Sequence, residues 1–312
     1  MGHSPRLAVV GSANIDISAT VPRLPALGET ISCLRSSISP GGKGANQAVA
    51  AARMGADVSM IAKLGQDIFG DMLLSSLGDS GVRTEHIIRT GDASTGKAFI
   101  IICDGNNEII IEGGSNQKLT RKEIEEKSEL LLTADGVLLQ LEIPLETVER
   151  TIQICKGRVP VHLNPSPYAV LPEGLLEGLD FFTPNEFECA FYTGIQPQDE
   201  ASIHKALDRL VEMGIRYPIV TLGSKGAAYF NGKKNVIARP FEIDAVDSTA
   251  AGDTFSGAFA ATISKGVSIE EAVEIAQAAA AITCTRYGAQ SAIPVKKEVD
   301  EFIKCNSTYT EH

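Results

Sequence analysis

The sequence predicts an α/β fold, a mainly parallel sheet covered by helices on both faces. Short apolar runs alternate with helix-length segments along the chain, the pattern of strands joined by crossover helices. The runs read as strands buried on both faces, as a parallel sheet requires. Two pairs of extended segments carry no helix between them, so they fit poorly into that sheet. They predict a small antiparallel sheet projecting from the main body.

The first buried strand is residues 7–10, and extended pieces follow at 15–21 and 30–39. A helix is predicted over 45–54, a strand over 58–61 and a helix over 69–77. Residues 99–102 and 108–111 flank Asp104-Gly105-Asn106-Asn107, a strong hairpin turn signal. The projecting sheet therefore lies within about 15–39 and 97–112, and it suits a lid, a dimer surface or both. Further on, helices are predicted over 121–132, 145–155, 201–213, 253–264 and 269–286, and strands over 136–141, 159–163, 181–183 and 218–222. No repeat and no Pro/Gly/Ser-rich linker divides the chain, so 1–312 is read as a single domain. In such a sheet, ligands sit beyond the carboxyl ends of the strands.

With 44% hydrophobic and 21% charged residues, disorder and low-complexity function are excluded. The 28 basic and 39 acidic residues give a net charge of −11. Such a chain has no general electrostatic footprint for nucleic acid or an anionic membrane. A bound phosphate would need local N–H groups and a metal, acting against the global field. No apolar run reaches the roughly 18 residues of a membrane span, and residues 1–6 are not a secretory signal. Six cysteines without a close pair point to reduced thiols in a cytoplasmic protein. The five histidines show no metal spacing.

Residues 91–97, Gly-Asp-Ala-Ser-Thr-Gly-Lys, imitate the start of a P-loop. Ala98 stands where the Mg²⁺-binding hydroxyl belongs, and a strand follows instead of a helix, so the segment is a turn. The strongest segment is Asp247-Ser248-Thr249-Ala250-Ala251-Gly252-Asp253, small residues opening an amphipathic helix. That helix start offers the N–H groups of Ala251, Gly252 and Asp253 to an anion. Asp253 can serve there as a general base beside a phosphoryl group. On spacing alone it serves more simply as a helix cap.

This segment resembles the C-terminal signature of the PfkB-type carbohydrate kinases, the family of ribokinase, fructokinase and adenosine kinase. A second signature matches at Pro40-Gly41-Gly42-Lys43-Gly44-Ala45-Asn46-Gln47-Ala48. Gly11 to Asp16, Gln140-Leu141-Glu142, Asn164 to Pro167, Thr183 to Glu188, Thr221 to Gly226 and Gly288-Ala289-Gln290 follow the family's order. The likeness runs from about residue 7 to 302 and is greatest to the ribokinase branch.

The resemblance implies an ATP-dependent kinase that phosphorylates O5 of D-ribose, with Asp253 as base and Gly252 and Ala251 in the anion hole. It implies a sugar site of Asn14, Asp16, Gly42, Lys43, Asn46, Glu142 and Asp253. It puts ATP against Asn185, Thr221, Gly223, Ser224, Lys225, Gly226, Gly252 and Gln277. Glu188 belongs to the Mg²⁺ shell through water. An activating monovalent cation, K⁺, falls to Asp247 with oxygens of Thr249, Thr283, Arg286, Gly288 and residue 292. That last position is Ala292, where a hydroxyl is common, and Ser248 replaces the usual Thr. The lid strands would pair two copies into a homodimer. Deoxyribose, fructose or a nucleoside remains an alternative acceptor. A non-catalytic sugar-binding protein on the same fold is a further one, opposed by the intact Asp253 and Glu188.

Overall fold

The structure is a computed structural model that describes residues 4–103 and 106–307. Among these residues the main sheet has nine strands. In spatial order they are β15 (Asn235–Ala238), β14 (Ala227–Phe230), β13 (Tyr217–Thr221), β12 (Phe181–Phe182), β11 (Val161–Leu163), β10 (Gly136–Leu139), β1 (Arg6–Val10), β4 (Asp57–Ile61) and β6 (Val82–Arg83). From β13 to β6 every pairing is parallel. The outer pairings β13–β14 and β14–β15 are antiparallel.

Alternate residues of one strand feed two separate cores, as the two-residue repeat of a strand demands. Leu7 and Val9 join the cluster under α1 (Lys43–Arg53), α2 (Ile68–Asp79), α8 (Ala251–Ile263), α9 (Ile269–Cys284) and α10 (Lys296–Ser307). Ala8 and Val10 join the cluster on the other face. That cluster is covered by α3 (Arg121–Glu125), α4 (Ser128–Leu132), α5 (Leu145–Cys155), α6 (Glu186–Thr193) and α7 (Glu200–Glu212). The helix predicted over 121–132 is thus two helices. At Lys127 the N–H turns to the carbonyl of Ile124, three residues back. This tighter step lets Ile124 and Leu131 each bury fully on their own short helix.

The close approach of α1 and α8 sets the site. A Cβ on Gly257 would stand 2.4 Å from the carbonyl oxygen of Gln47, so only glycine lets α8 lie this near.

The projecting sheet is present, in the order β3 (Arg35–Gly41), β2 (Asn14–Thr20), β8 (Gly96–Cys103) and β9 (Asn106–Glu112). Its outer pairs are antiparallel and its central pair, β2–β8, is parallel. The predicted hairpin is β8–β9, and Asp104 and Gly105 at its turn lie outside the described residues. The extended piece predicted from residue 30 starts at Arg35, which pairs with Thr20 at the end of β2. Pro22 follows there and offers no N–H to continue the ladder. A separate two-stranded parallel sheet joins β5 (Lys63–Gly65) to β7 (Ile88–Thr90). The P-loop look-alike at 91–97 is bend and coil running into β8.

Candidate active site

The cap of α8 is Ala250, in the left-handed region at φ 61°. Asp253 is therefore the third helical residue, and its carboxylate does not cap its own helix. It is buried instead and accepts two amide donors from α1. Asn46 Nδ2 reaches Oδ2 at 3.0 Å, and Gln47 Nε2 reaches Oδ1 at 3.1 Å.

The three free N–H groups predicted here reduce to two. The tight turn through Ala250 brings the Ala251 N–H back onto the carbonyl of Ser248 at 3.2 Å. The N–H groups of Gly252 and Asp253 have no backbone acceptor among the described residues. Gly252 is exposed, and apart from its chain neighbours and its own helix backbone no atom lies within 4 Å of where a Cβ would stand. An open seat with two unspent donors thus lies directly beside a buried carboxylate.

The predicted sugar-side residues surround the same carboxylate. Glu142 Oε2 accepts from Ser12 Oγ at 2.5 Å, the Lys43 N–H at 3.2 Å and Asn14 Nδ2 at 3.4 Å. Asn14 is held from below by Asn116, whose Nδ2 donates to Asn14 Oδ1 at 2.6 Å. Asp16 packs so closely on Gly41 that a Cβ there would be 2.2 Å from its Oδ2. Burial first, then the charges of Glu142 and Asp253, raise the Asp16 carboxyl to about 7. Burial works against the charge on Lys43, but Asp253, Glu142 and Glu188 outweigh it and hold the ammonium above the ordinary lysine range. Asn46 Oδ1 is buried with no hydrogen-bond partner. Such an acceptor costs stability unless a ligand's hydroxyl meets it.

Asn185 caps α6 in a reciprocal box with Glu188, a carboxyl that feels the charges of Lys43 and Asp253. The Glu188 N–H donates to Asn185 Oδ1 at 2.9 Å, and the Asn185 N–H to Glu188 Oε2 at 2.8 Å. Burial lifts the Glu188 carboxyl, and Asp253 adds to this, while hydrogen bonds and Lys43 act against it. Thr221 bridges to Asn185 in parallel register. Gly223, Ser224 and Lys225 form an exposed single turn after β13, with Lys225 Nζ 3.2 Å from Glu186 Oε1. Gln277 Nε2 lies against Gly226, which closes this loop onto α9.

Asp247 braces its own loop. Oδ1 accepts from the Thr249 N–H at 2.9 Å and Thr249 Oγ1 at 2.6 Å, and Oδ2 from the Gly288 N–H at 3.0 Å. Burial would raise this carboxyl, and those donors lower it below the usual aspartate value. Thr283 Oγ1 reaches Thr254 Oγ1 at 3.1 Å, one residue past Asp253. The Arg286 side chain turns away to Glu298 at 2.6 Å. Ala292 is fully buried beside this turn and brings no hydroxyl to it. Among the described residues no cluster of three or more His, Cys, Asp or Glu can hold a metal ion.

Sequence reasoning missed Gln47, Gln140, Ser12 and Asn116 as site residues. Gln47 and Gln140 stand inside recognised motifs, beside Asn46 and two residues before Glu142. Asn116 sits in an irregular stretch with no pattern around it.

The pfkB family carbohydrate kinase model matches residues 4–296. The chain is 40% identical to the ribokinase of Haemophilus influenzae, over 96% of this chain and 98% of that one. It is 35% identical to the deoxyribokinase of Salmonella typhi, over 96% and 99%. A solved structure of Arabidopsis thaliana ribokinase complexed with ribose and ATP superposes with a TM-score of 0.91. Its identity is 35%, and the match covers 97% of this chain and 99% of that one.

Proposed function

The chain belongs to the pfkB family of carbohydrate kinases, and on that premise we propose that it transfers the γ-phosphoryl group of ATP to O5 of D-ribose. The products are ADP and D-ribose 5-phosphate. One observation carries this reading: a buried carboxylate, Asp253, lies under the open N–H pair of Gly252 and Asp253. The relatives named above supply the choice of ribose.

Asp253 takes the proton of the attacking hydroxyl as the oxygen approaches phosphorus. The N–H groups of Gly252 and Asp253, with the end of the helix dipole, face the charge on the transferring phosphoryl group. The Lys43 ammonium adds positive charge between Asp253, Glu142 and Glu188. Asn46 Oδ1, free of partners, accepts from a sugar hydroxyl. Asn14, Asp16 and Glu142 complete a set of donors and acceptors suited to a neutral polyol, and Gly42, at φ 90° and pressed on the backbone of Ala13 and Asn14, holds the start of α1 against them. Asn185, Thr221, Gly223, Ser224, Lys225, Gly226 and Gln277 line the nucleotide side.

Glu188 fits a Mg²⁺ shell through water. Its carboxyl is lifted by burial, a cost that a nearby cation offsets. The ion would neutralise phosphate charge. K⁺ fits less fully: Asp247 already takes three protein donors, and Ala292 brings no hydroxyl. A cation held by Asp247 and carbonyls of Thr249, Thr283, Arg286, Gly288 and Ala292 would stiffen the loop before Asp253.

The projecting sheet closes over the sugar and pairs with a second copy. Ile109, Ile110 and Ile111 are 56%, 65% and 48% exposed, so both faces of β9 present apolar surface. No described helix is long and apolar enough to cross a membrane. Cys155 and Cys189 are buried free thiols, in keeping with a reducing cytoplasm. The whole chain acts as one domain.

The Salmonella relative favours a second reading, deoxyribose as acceptor. Rates of ADP release measured with D-ribose, 2-deoxy-D-ribose, fructose and adenosine separate these. The proposal expects the highest kcat/KM with ribose. A higher value with deoxyribose supports the second reading, and no acceptor-dependent release refutes both.

A further inference from the structure

Asp253 is backed by a buried chain of amides, oriented by Asp253 at one end and the Thr183 carbonyl at the other. Gln47 is 1% exposed and Gln140 is fully buried. The Gln47 Nε2 carries two hydrogens and uses both, on Asp253 Oδ1 at 3.1 Å and on Asn164 Oδ1 at 3.3 Å. Its Oε1 accepts from Gln140 Nε2 at 2.6 Å. Asn164 in turn donates Nδ2 to the carbonyl of Thr183 at 2.8 Å. A carboxylate and a carbonyl only accept. The Gln47 amide therefore cannot flip without setting oxygen against the carboxylate and nitrogen against nitrogen.

The chain is bought at a visible cost. Because Gln140 must present Nε2 to Gln47, its Oε1 is buried against Gly11 with no partner. A Cβ on Gly11 would overlap that oxygen, so the backbone there makes room for it. A buried unpaired carbonyl is destabilising. Packing gives no reason to keep it, whereas a donor aimed at Asp253 does.

We propose that Gln47 is a positioning residue for phosphoryl transfer, holding Asp253 Oδ1 in place with Gln140 and Asn164 behind it. Asn46 fixes the other oxygen, Oδ2, so the carboxylate plane has no freedom left to rotate away from the attacking hydroxyl. Gln47 acts through Asp253, since both its amide hydrogens are used by protein partners and the side chain is buried away from the open seat. The inference rests on Asp253 being the base of a ribose kinase.

The test uses the full-length protein and the variants Gln47→Leu, Gln140→Leu and the double variant. Steady-state rates are measured with ribose and ATP, with ribose binding by calorimetry to count folded sites. Misplacing a reacting group by a fraction of its reach costs on the order of tenfold to a hundredfold. Gln47→Leu should lower kcat per binding site by about tenfold or more, with the ribose KM changed less than about threefold. Gln140→Leu should show a smaller fall that disappears in the Gln47→Leu background, because it works through Gln47. Wild-type kcat per binding site in Gln47→Leu, with or without a lowered melting temperature, overturns the inference and leaves the kinase reading standing. Additive losses in the double variant also overturn it. A wild-type protein without ribose-dependent ADP release overturns both.

Discussion

Asn46 Nδ2 lies 3.0 Å from Asp253 Oδ2, joining two helix starts 207 residues apart in sequence. The bond exists because α1 and α8 touch through small residues, with Gly257 against the Gln47 carbonyl. On the proposed reading, the sugar side and the phosphoryl side share this one carboxylate.

Gly252 tests the open seat. It is exposed, and a Cβ there meets no atom within 4 Å beyond its chain neighbours and its own helix backbone. Gly252→Val should fold with stability within about 1 kcal/mol of the parent, since glycine is already the poorer helix former. The valine would fill the space above the two free N–H groups. We expect kcat/KM for ribose to fall at least ~100-fold, the scale of losing an oxyanion donor. A well-folded variant with parental kcat/KM would show that no phosphoryl group sits there.

Asp16 gives a pH signature. Its carboxyl ionises near 3.8 when unfolded and at about 7 in the fold. Between those values the folded state binds the extra proton. Stability from this group is therefore full at low pH and is lost as pH rises through about 7. Asp16→Asn removes the titration, so the ligand-free variant should lose less stability than the parent between about pH 5 and about pH 8. Denaturant midpoints across that range decide it, and parallel curves would contradict the burial argument.

Much of this site was legible because spacing in a motif survives folding. Asn46 and Lys43 lie in one glycine-rich signature, and Gly41 beside them is needed for Asp16 to pack. Glu142 and Glu188 follow strands, where α/β sheets place their ligands. Strands β5, β6 and β7 were not legible, since a charged residue interrupts each two- or three-residue run, and the four-residue strands β14 and β15 were not predicted either. Asn116 was not legible either, because its partners, Asn14 and the Ala13 backbone, lie about a hundred residues away in sequence and meet it only across the fold. The spent N–H of Ala251 depends on the left-handed Ala250, a conformation that an alanine does not advertise.

Potassium should act on kcat without altering the ribose KM. Asp247 and the carbonyls near it precede the proposed phosphoryl seat, so a cation bound there would stiffen donors used in the transition state. In buffer free of Na⁺ and K⁺, added K⁺ should raise kcat by about fivefold or more, a typical coupling between sites. Asp247→Ala should abolish that response. A flat titration of the parent would place no cation there.

The isoleucines of β9 should bury in a dimer. Ile110→Lys sets a charge in the middle of the exposed apolar run at 109–111. Light scattering at micromolar concentration should give twice the 33.1 kDa chain mass for the parent and the single mass for the variant. A monomeric parent would contradict the pairing.

The most direct measurement is turnover and ribose affinity of Asp253→Asn. The amide keeps the shape of the group but cannot take the hydroxyl proton. The account predicts a kcat lowered by ~10²–10⁴, with ribose affinity within about threefold of the parent. A variant that retains more than about a tenth of the parental kcat would contradict Asp253 as the base.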